Sequence, residues 1–272
     1  MTSPLGGGSD AHPPQIDTSK PHPARMYDYF LGGKDNYEVD REAAERFIEA
    51  APEVRDGVRA NRHFMHRAVR HVVEEGGVRQ ILDIGTGLPT EPNVHQIAHA
   101  IAPETRIVYV DNDPIVSTHS MALMEDTDTS VILADVRDPR TILDHPEVRK
   151  AIDFEQPVAV LLVAVVHFIA DAEDPYGIVA TLRDALPVGS YLVLSHATGD
   201  VHDDGREEAA SVYDRASATM NLRSHAQVVD FFGDFTLVDP GLARVTHWRP
   251  EEDPAEGAPS IGIYGGVARK NG

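Results

Sequence analysis

Three short apolar runs in this chain each carry an aspartate at or near their end: "ILDIGTGLPT" with Asp83, "IVYVDNDP" with Asp111 and "VILADVRDP" with Asp135. Such runs read as buried strands, and open α/β sheets bind ligands just beyond the carboxyl ends of their strands. Gly85 and Gly87 make a tight turn there and expose backbone N–H groups. Asp111 ends the next run, where a carboxylate can accept hydrogen bonds from both hydroxyls of a ribose. Asp135 follows the third run, where it can accept from the exocyclic amine of adenine while the Val136 N–H meets a ring nitrogen. Each stretch also has a plainer reading: a turn without a ligand, a helix N-cap, a loop carboxylate. The N-cap role suits Asp113, just before Pro114, better than Asp111. Taken in series, the three stretches favour a nucleoside site.

The glycine loop departs from the dinucleotide turn. That fingerprint wants glycine where Thr90 stands, so that helix and strand pack closely beside a pyrophosphate. Here the loop is longer, and the helix is expected near Pro92 with Thr90 as its cap. The missing glycine weighs against an oxidoreductase that uses a nicotinamide dinucleotide.

The elements that must hold these residues follow from hydrophobic pattern. From residue 78 onward, short apolar runs (Gln80–Ile84, Ile107–Val110, Val131–Leu133, Val158–Val163, Tyr191–Leu194) alternate with helical stretches (Val94–Ile101, Ile115–Glu125, Tyr176–Leu186, Arg206–Met220). This alternation implies a parallel sheet covered on both faces. "FTLVD" and "SIGIYGGVARK" are expected to close one edge as a pair of strands, and "PEEDPAEGAPS" reads as a solvated acidic loop. Residues 24–77 are predicted to form an N-terminal helical cap, in which Val54, Val58, Met65, Ala68, Val69, Val72 and Val73 share a face. Residues 1–23, rich in Pro, Gly and Ser, are predicted to be a disordered tail. The organisation is thus a tail (1–23), a cap (24–77) and a Rossmann-like domain (78–272).

Bulk properties narrow the partners. The 272-residue chain has a formal net charge of −20 and no dense basic run, so no nucleic acid partner is expected. With no cysteine, thiolate nucleophiles and thiolate metal sites are excluded, and the histidines show no metal-binding spacing. The N-terminus lacks a signal-peptide pattern, and the longest apolar run, Val158–Val166, is too short to span a bilayer. A cytoplasmic location and no membrane partner are expected. Oligomeric state is left open.

Asp83-x-Gly85-x-Gly87, Asp111 and Asp135 together resemble the class I S-adenosylmethionine-dependent methyltransferases. More narrowly, "PHPARMYDYFLGGKDNYEVDREAAE", "ANRHFMHRAVRHV" and "DIGTGLPTEPNVH" resemble one bacterial family of S-adenosyl methyltransferases, formerly a domain of unknown function. The resemblance runs from about Pro21 to near the end of the chain. It implies a seven-stranded, mostly parallel sheet of order 3-2-1-4-5-7-6 with the last strand antiparallel, and S-adenosyl-L-methionine as cofactor. It implies that Gly85, Thr86 and Gly87 lie against the methionyl part, Asp111 with Asn112 at the ribose, and Asp135 with Val136 at the adenine. The departure is Pro89, where the class usually has a third glycine. S-adenosylmethionine has no pyrophosphate, so the loop need only admit its methionyl chain.

The acceptor side is less marked. Strand residues near Ala164 are expected close to the sulfonium, and His167 just beyond is the candidate catalytic base. His196 is a weaker candidate, and either histidine has packing as its plain alternative. Methyl transfer from a sulfonium needs an in-line acceptor in a dry pocket and can proceed without a base. In the N-terminal segment, Tyr29 is a candidate lid aromatic, and Arg25 or Arg62 a candidate cation for the cofactor carboxylate. The expected activity is methyl transfer to a small-molecule acceptor. A non-catalytic S-adenosylmethionine-binding protein is the main alternative.

Overall fold

A computed structural model describes residues 18–124, 129–200, 210–252 and 262–272. The parallel strands are β1 (Gln80–Ile84), β2 (Arg106–Asp111), β3 (Thr129–Leu133), β4 (Ala159–Val163) and β5 (Tyr191–Ala197). Strand β8 (Ile263–Arg269) runs antiparallel to β5 and pairs with two short strands, β6 (Thr236–Leu237) and β7 (Ala243–Arg244). The order is β3-β2-β1-β4-β5-β8-β6, with β7 beside β8. This is the expected order with one extra two-residue strand, so the described sheet has eight strands where seven were expected.

Alternation along the strands divides the core between two faces. Leu82, Ile84, Val108, Val110, Val160, Leu162, Leu192 and Leu194 pack on one side with Ile142, Val179, Phe231 and Phe232. Ile81, Ile107, Tyr109, Ala159, Leu161 and Val193 face the other way. There they meet the long helix α3 (Val54–Glu74) and helix α4 (Val94–Ile101). On α3, Val58, Met65, Ala68, Val69, Val72 and Val73 are buried as the helical spacing predicts. Helix α3 is therefore one of the sheet's covering helices. Helices α1 (Pro23–Leu31) and α2 (Glu38–Ala50) share a smaller core of Met26, Phe30, Ala43, Ala44 and Phe47 with Val58 and Tyr213.

Further helices among the described residues include α5 (Pro114–Met124), α6 (Pro139–Asp144), α7 (Pro146–Ala151), α8 (Pro175–Asp184) and α9 (His225–Val229). The expected tail falls outside the described residues up to 17, and α1 already begins at Pro23 behind a His22 cap. Most of "PEEDPAEGAPS" and residues 206–209 of the expected helix Arg206–Met220 also lie outside them. From residue 210 that helix is only a short end followed by the 3-10 turn Tyr213–Arg215. The expected strand in "FTLVD" shrinks to Thr236–Leu237. Among the described residues, no helix is long and apolar enough to cross a membrane.

The seam between α3 and the sheet is aromatic. Phe64 and Trp248 are fully buried and meet edge to face at 5.3 Å. A Cβ on Gly265 of β8 would stand 2.8 Å from the Phe64 ring, so this strand needs glycine to let the ring in. Replacing Phe64 by Ala should cost about 3–5 kcal/mol, the range for emptying a packed aromatic site. Urea unfolding measures this, and a loss below about 1 kcal/mol would contradict the packing described.

Candidate functional site

Strands β1, β2 and β4 deliver their carboxyl ends to one edge, and the loop after β1 turns across it. Gly85 N–H donates to the Val110 carbonyl at 2.7 Å, and Thr86 N–H donates to the same oxygen at 3.2 Å. Gly85 has φ +73°, and a Cβ on it would overlap the Val165 side chain beyond β4. Gly87 has φ +69°, with open space where its Cβ would stand. Both positions thus need glycine, the first for close approach as well as for conformation. Helix α4 spans Val94–Ile101, the expected helical stretch, and starts behind Asn93, just past Pro92. The Gln96 side chain accepts from Asn93 N–H at 2.6 Å, and Asn93 Oδ1 accepts from Thr90 N–H at 3.0 Å, so Asn93 takes the capping place foreseen for Thr90.

The loop overhangs a cavity of about 380 Å³. Gly85, Thr86, Gly87, Asp111, Asn112, Asp135, Val136 and Ala164 all line it. Asp111 accepts from Gly87 N–H at 2.8 Å on one oxygen and from Asp113 N–H at 2.9 Å on the other. Each oxygen keeps acceptor capacity. Burial pushes its pKa up to about 6, against the pull of those hydrogen bonds. Asp135 is held by Arg137 N–H at 2.9 Å, the Arg137 guanidinium at 2.8 Å and the Asn112 amide at 3.0 Å. Burial opposes its charge, but these bonds and the Arg137 cation outweigh it and hold Asp135 below the usual carboxylate range.

Asp83 opens the Asp-x-Gly-x-Gly motif and had no role of its own in the sequence reading. It lines the same cavity and accepts from Thr86 Oγ1 at 2.9 Å. Burial raises its pKa to about 6, while the Thr86 hydrogen bond and the Arg62 charge draw it back. Arg62, on α3, also lines the cavity, and its Nη2 donates to the Thr90 and Pro92 carbonyls, the latter at 3.0 Å. Beside the glycine loop the cavity therefore presents an acid and a cation.

Two expected contacts stand elsewhere. Arg25 is buried, 3.6 Å from Asp40 and 3.5 Å from Asp113, and does not line the cavity. It ties α1 to α2 and α5. Tyr29 donates to Glu45 and lies under the Arg55 guanidinium, also away from the cavity. The aromatic that does line it is Tyr27, which donates to the Val58 carbonyl at 3.2 Å and accepts from Asn61 at 3.1 Å. Residues two apart on a helix point about 200° apart, so Tyr27 and Tyr29 cannot face the same way.

Beyond Ala164 lies a second, smaller chamber of about 110 Å³, which includes His167 in its lining. Ala164 has φ +59°, uncommon for a residue with a side chain, and Ser195 Oγ accepts from its N–H at 2.9 Å. His167 Nδ1 accepts from Ala197 N–H at 3.3 Å, so the neutral ring carries its proton on Nε2. Burial, His196 and Arg223 push its pKa well below the usual histidine range. His196 donates from Nδ1 to the Ala197 carbonyl at 2.6 Å and accepts from Arg223 Nη1 on Nε2 at 3.0 Å. Its pKa falls to about 3, chiefly through burial. His196 is thus a packing residue held by Arg223. Arg223 also reaches Asp171 at 2.6 Å and the Ile169 carbonyl at 3.0 Å, pinning the segment that carries His167.

The raised Asp83 pKa gives a pH signature. An aspartate whose pKa is higher folded than unfolded stabilises the fold below the unfolded value near 4, and that stability is lost as pH rises through about 6. Asp83→Asn removes the buried charge. At pH 8 the variant should melt about 2–4 °C above the wild type, and the gap should narrow below pH 6 and close near pH 4. Thermal melts across that range check this; a gap independent of pH would contradict it.

Comparison with known proteins shows the family. A family profile of S-adenosyl methyltransferases matches residues 9–271. A DUF574 family protein from Streptomyces avermitilis MA-4680 shares 46% identity, with 94% of this chain and 100% of that chain covered at a TM-score of 0.90. A proposed methyltransferase from Thermobifida fusca YX shares 39% identity, covering 97% of this chain and 100% of its own at 0.89. The plantazolicin methyltransferase BamL, at 10% identity and a TM-score of 0.53 over 92% of this chain and 96% of that one, shares the fold. No curated protein matches. The chain belongs to the S-adenosyl methyltransferase family, and it is an S-adenosylmethionine-dependent methyltransferase.

Proposed function

We propose that the larger cavity holds S-adenosylmethionine with its ribose on Asp111, its adenine against Asp135 and Val136, and its methionyl end between Asp83 and Arg62. The observation that carries this reading is the pairing of an acid and a cation beside the glycine loop. The amino-acid end of the cofactor is a zwitterion, so its ammonium suits Asp83 and its carboxylate suits Arg62. Asp111 keeps acceptor capacity on both oxygens, which suits two ribose hydroxyls. Three of the four acceptor sites on Asp135 are taken, and the remaining one suits the adenine amine. Asn112 orients Asp135 in this scheme. A dinucleotide fits worse, because Asp83, Asp111 and Asp135 would all oppose a diphosphate.

When bound, S-adenosylmethionine supplies a methyl group on a sulfonium. The work left to this chain is to bind, orient and exclude water. Thr86 and Gly87 hold the loop against Asp83 and Asp111, and Tyr27 with Ala164 separates the cofactor from the smaller chamber. His167 acts as a hydrogen-bond donor through Nε2 in this reading, since its tautomer and depressed pKa oppose a role as base. A small-molecule acceptor in the cytoplasm is part of the proposal. It is supported by the net charge of −20, which repels polyanions, and by a cysteine-free composition that suits a reducing compartment.

Calorimetry with S-adenosylhomocysteine tests the ribose assignment. Asp111→Ala should weaken binding at least about tenfold, the worth of a charged hydrogen-bond pair. Unchanged affinity would remove Asp111 from the site.

A further inference from the structure

We infer that the smaller chamber beyond Ala164 is the methyl-acceptor pocket and that it selects a small, uncharged aromatic molecule. This rests on the reading of the larger cavity as the cofactor site. The two spaces share Pro23, Tyr27, Ala164 and Phe168 as lining, so a single layer of side chains stands between them. Ala164, in its left-handed conformation, belongs to both. Beyond that layer the walls turn apolar and aromatic: Phe30, Phe47, Tyr213 and Met220 with Val58.

The rings are set at angles to one another. Phe47 meets Phe30 at 5.6 Å and 53°, and Tyr213 at 5.6 Å and 74°; Phe168 meets Tyr213 at 5.1 Å and 56°. Tilted rings offer edges to a π face, an arrangement that suits an aromatic guest better than a chain of methylenes. Charge sharpens the class. Among the described residues that line the chamber, Glu53 is the one acid and none is Lys or Arg. Among these residues, a carboxylate or phosphate on the acceptor would find no cation to receive it. The neutral His167 ring offers its Nε2–H to an oxygen or nitrogen of the guest. In the reaction, a lone pair on that acceptor atom forms the bond to the methyl carbon. The carbon–sulfur bond breaks with its pair going to sulfur, and the acceptor's proton leaves to water.

The test uses the full chain saturated with S-adenosylhomocysteine, with 4-methylphenol and 4-methylbenzoate as probes in protein-observed NMR titrations. The expected result is that 4-methylphenol binds and 4-methylbenzoate binds at least about tenfold more weakly. Met220→Trp, which fills the chamber, should weaken 4-methylphenol at least about tenfold and leave S-adenosylhomocysteine affinity within about twofold. Val54→Trp, on the same lining, should do likewise and guards against misfolding of one variant. Equal binding of the two probes, no binding of the phenol to the loaded protein, or filled variants that still bind it would overturn the acceptor pocket while the cofactor site stands. Failure of S-adenosylhomocysteine to bind the wild type would overturn the cofactor reading and the pocket with it.

Discussion

The site depends on one close approach. The loop after β1 passes over the ends of β2 and β4 at Gly85, held by the Val110 carbonyl on one side and pressed against Val165 on the other. No side chain fits there. Because the backbone lies so low, Gly87 N–H reaches the Asp111 carboxylate and Thr86 reaches Asp83. The ends of β1 and β2 therefore present two buried carboxylates to one cavity, held there by a few residues of loop. Both sit in conditions that raise their pKa to about 6. Holding such groups near ionisation in the free protein disfavours the fold and favours a ligand that brings donors, as expected of a binding site.

The N-terminal helices and the sheet are joined around that loop. Arg62 on α3 grips the Thr90 and Pro92 carbonyls, and Asn61 beside it holds the Tyr27 hydroxyl of α1. Arg25 sits between Asp40 and Asp113 and fixes α1 against α2 and α5. On the far side, Arg223 anchors the turn that bears His167 through the Val166 and Ile169 carbonyls. Arg62 and Arg223 grip backbone carbonyls and Arg25 bridges carboxylates, so the effect of these cations is to place walls around the ligand space.

Much of this was legible in the sequence, for physical reasons. Strand faces follow from alternation, which Ile81, Leu82, Asp83 and Ile84 obey once both faces of the sheet are covered. Asp111 and Asp135 could be placed because a parallel strand must release its carboxyl end at the ligand edge. Choices that rest on three-dimensional facing were less open. Arg25 and Arg62 were equal candidates for the carboxylate, and packing against Asp40 and Asp113 takes Arg25 out. Tyr27 and Tyr29 differ by half a helical rotation, and the orientation of α1 on the sheet decides between them. Asn93 displaced Thr90 as cap because Gln96 completes a reciprocal pair that short-range preference alone did not rank. The extra strand β7 is two residues long and owes its pairing to β8, with no local signal of its own.

A crystal structure of the protein with S-adenosylhomocysteine bound tests whether Asp83, Arg62 and Asp111 surround one S-adenosyl ligand. The expected structure has the ribose hydroxyls on Asp111, the ammonium on Asp83 and the carboxylate on Arg62, with sulfur directed toward Ala164. A ligand bound outside this cavity, or in it with the ribose away from Asp111, would contradict the proposed site.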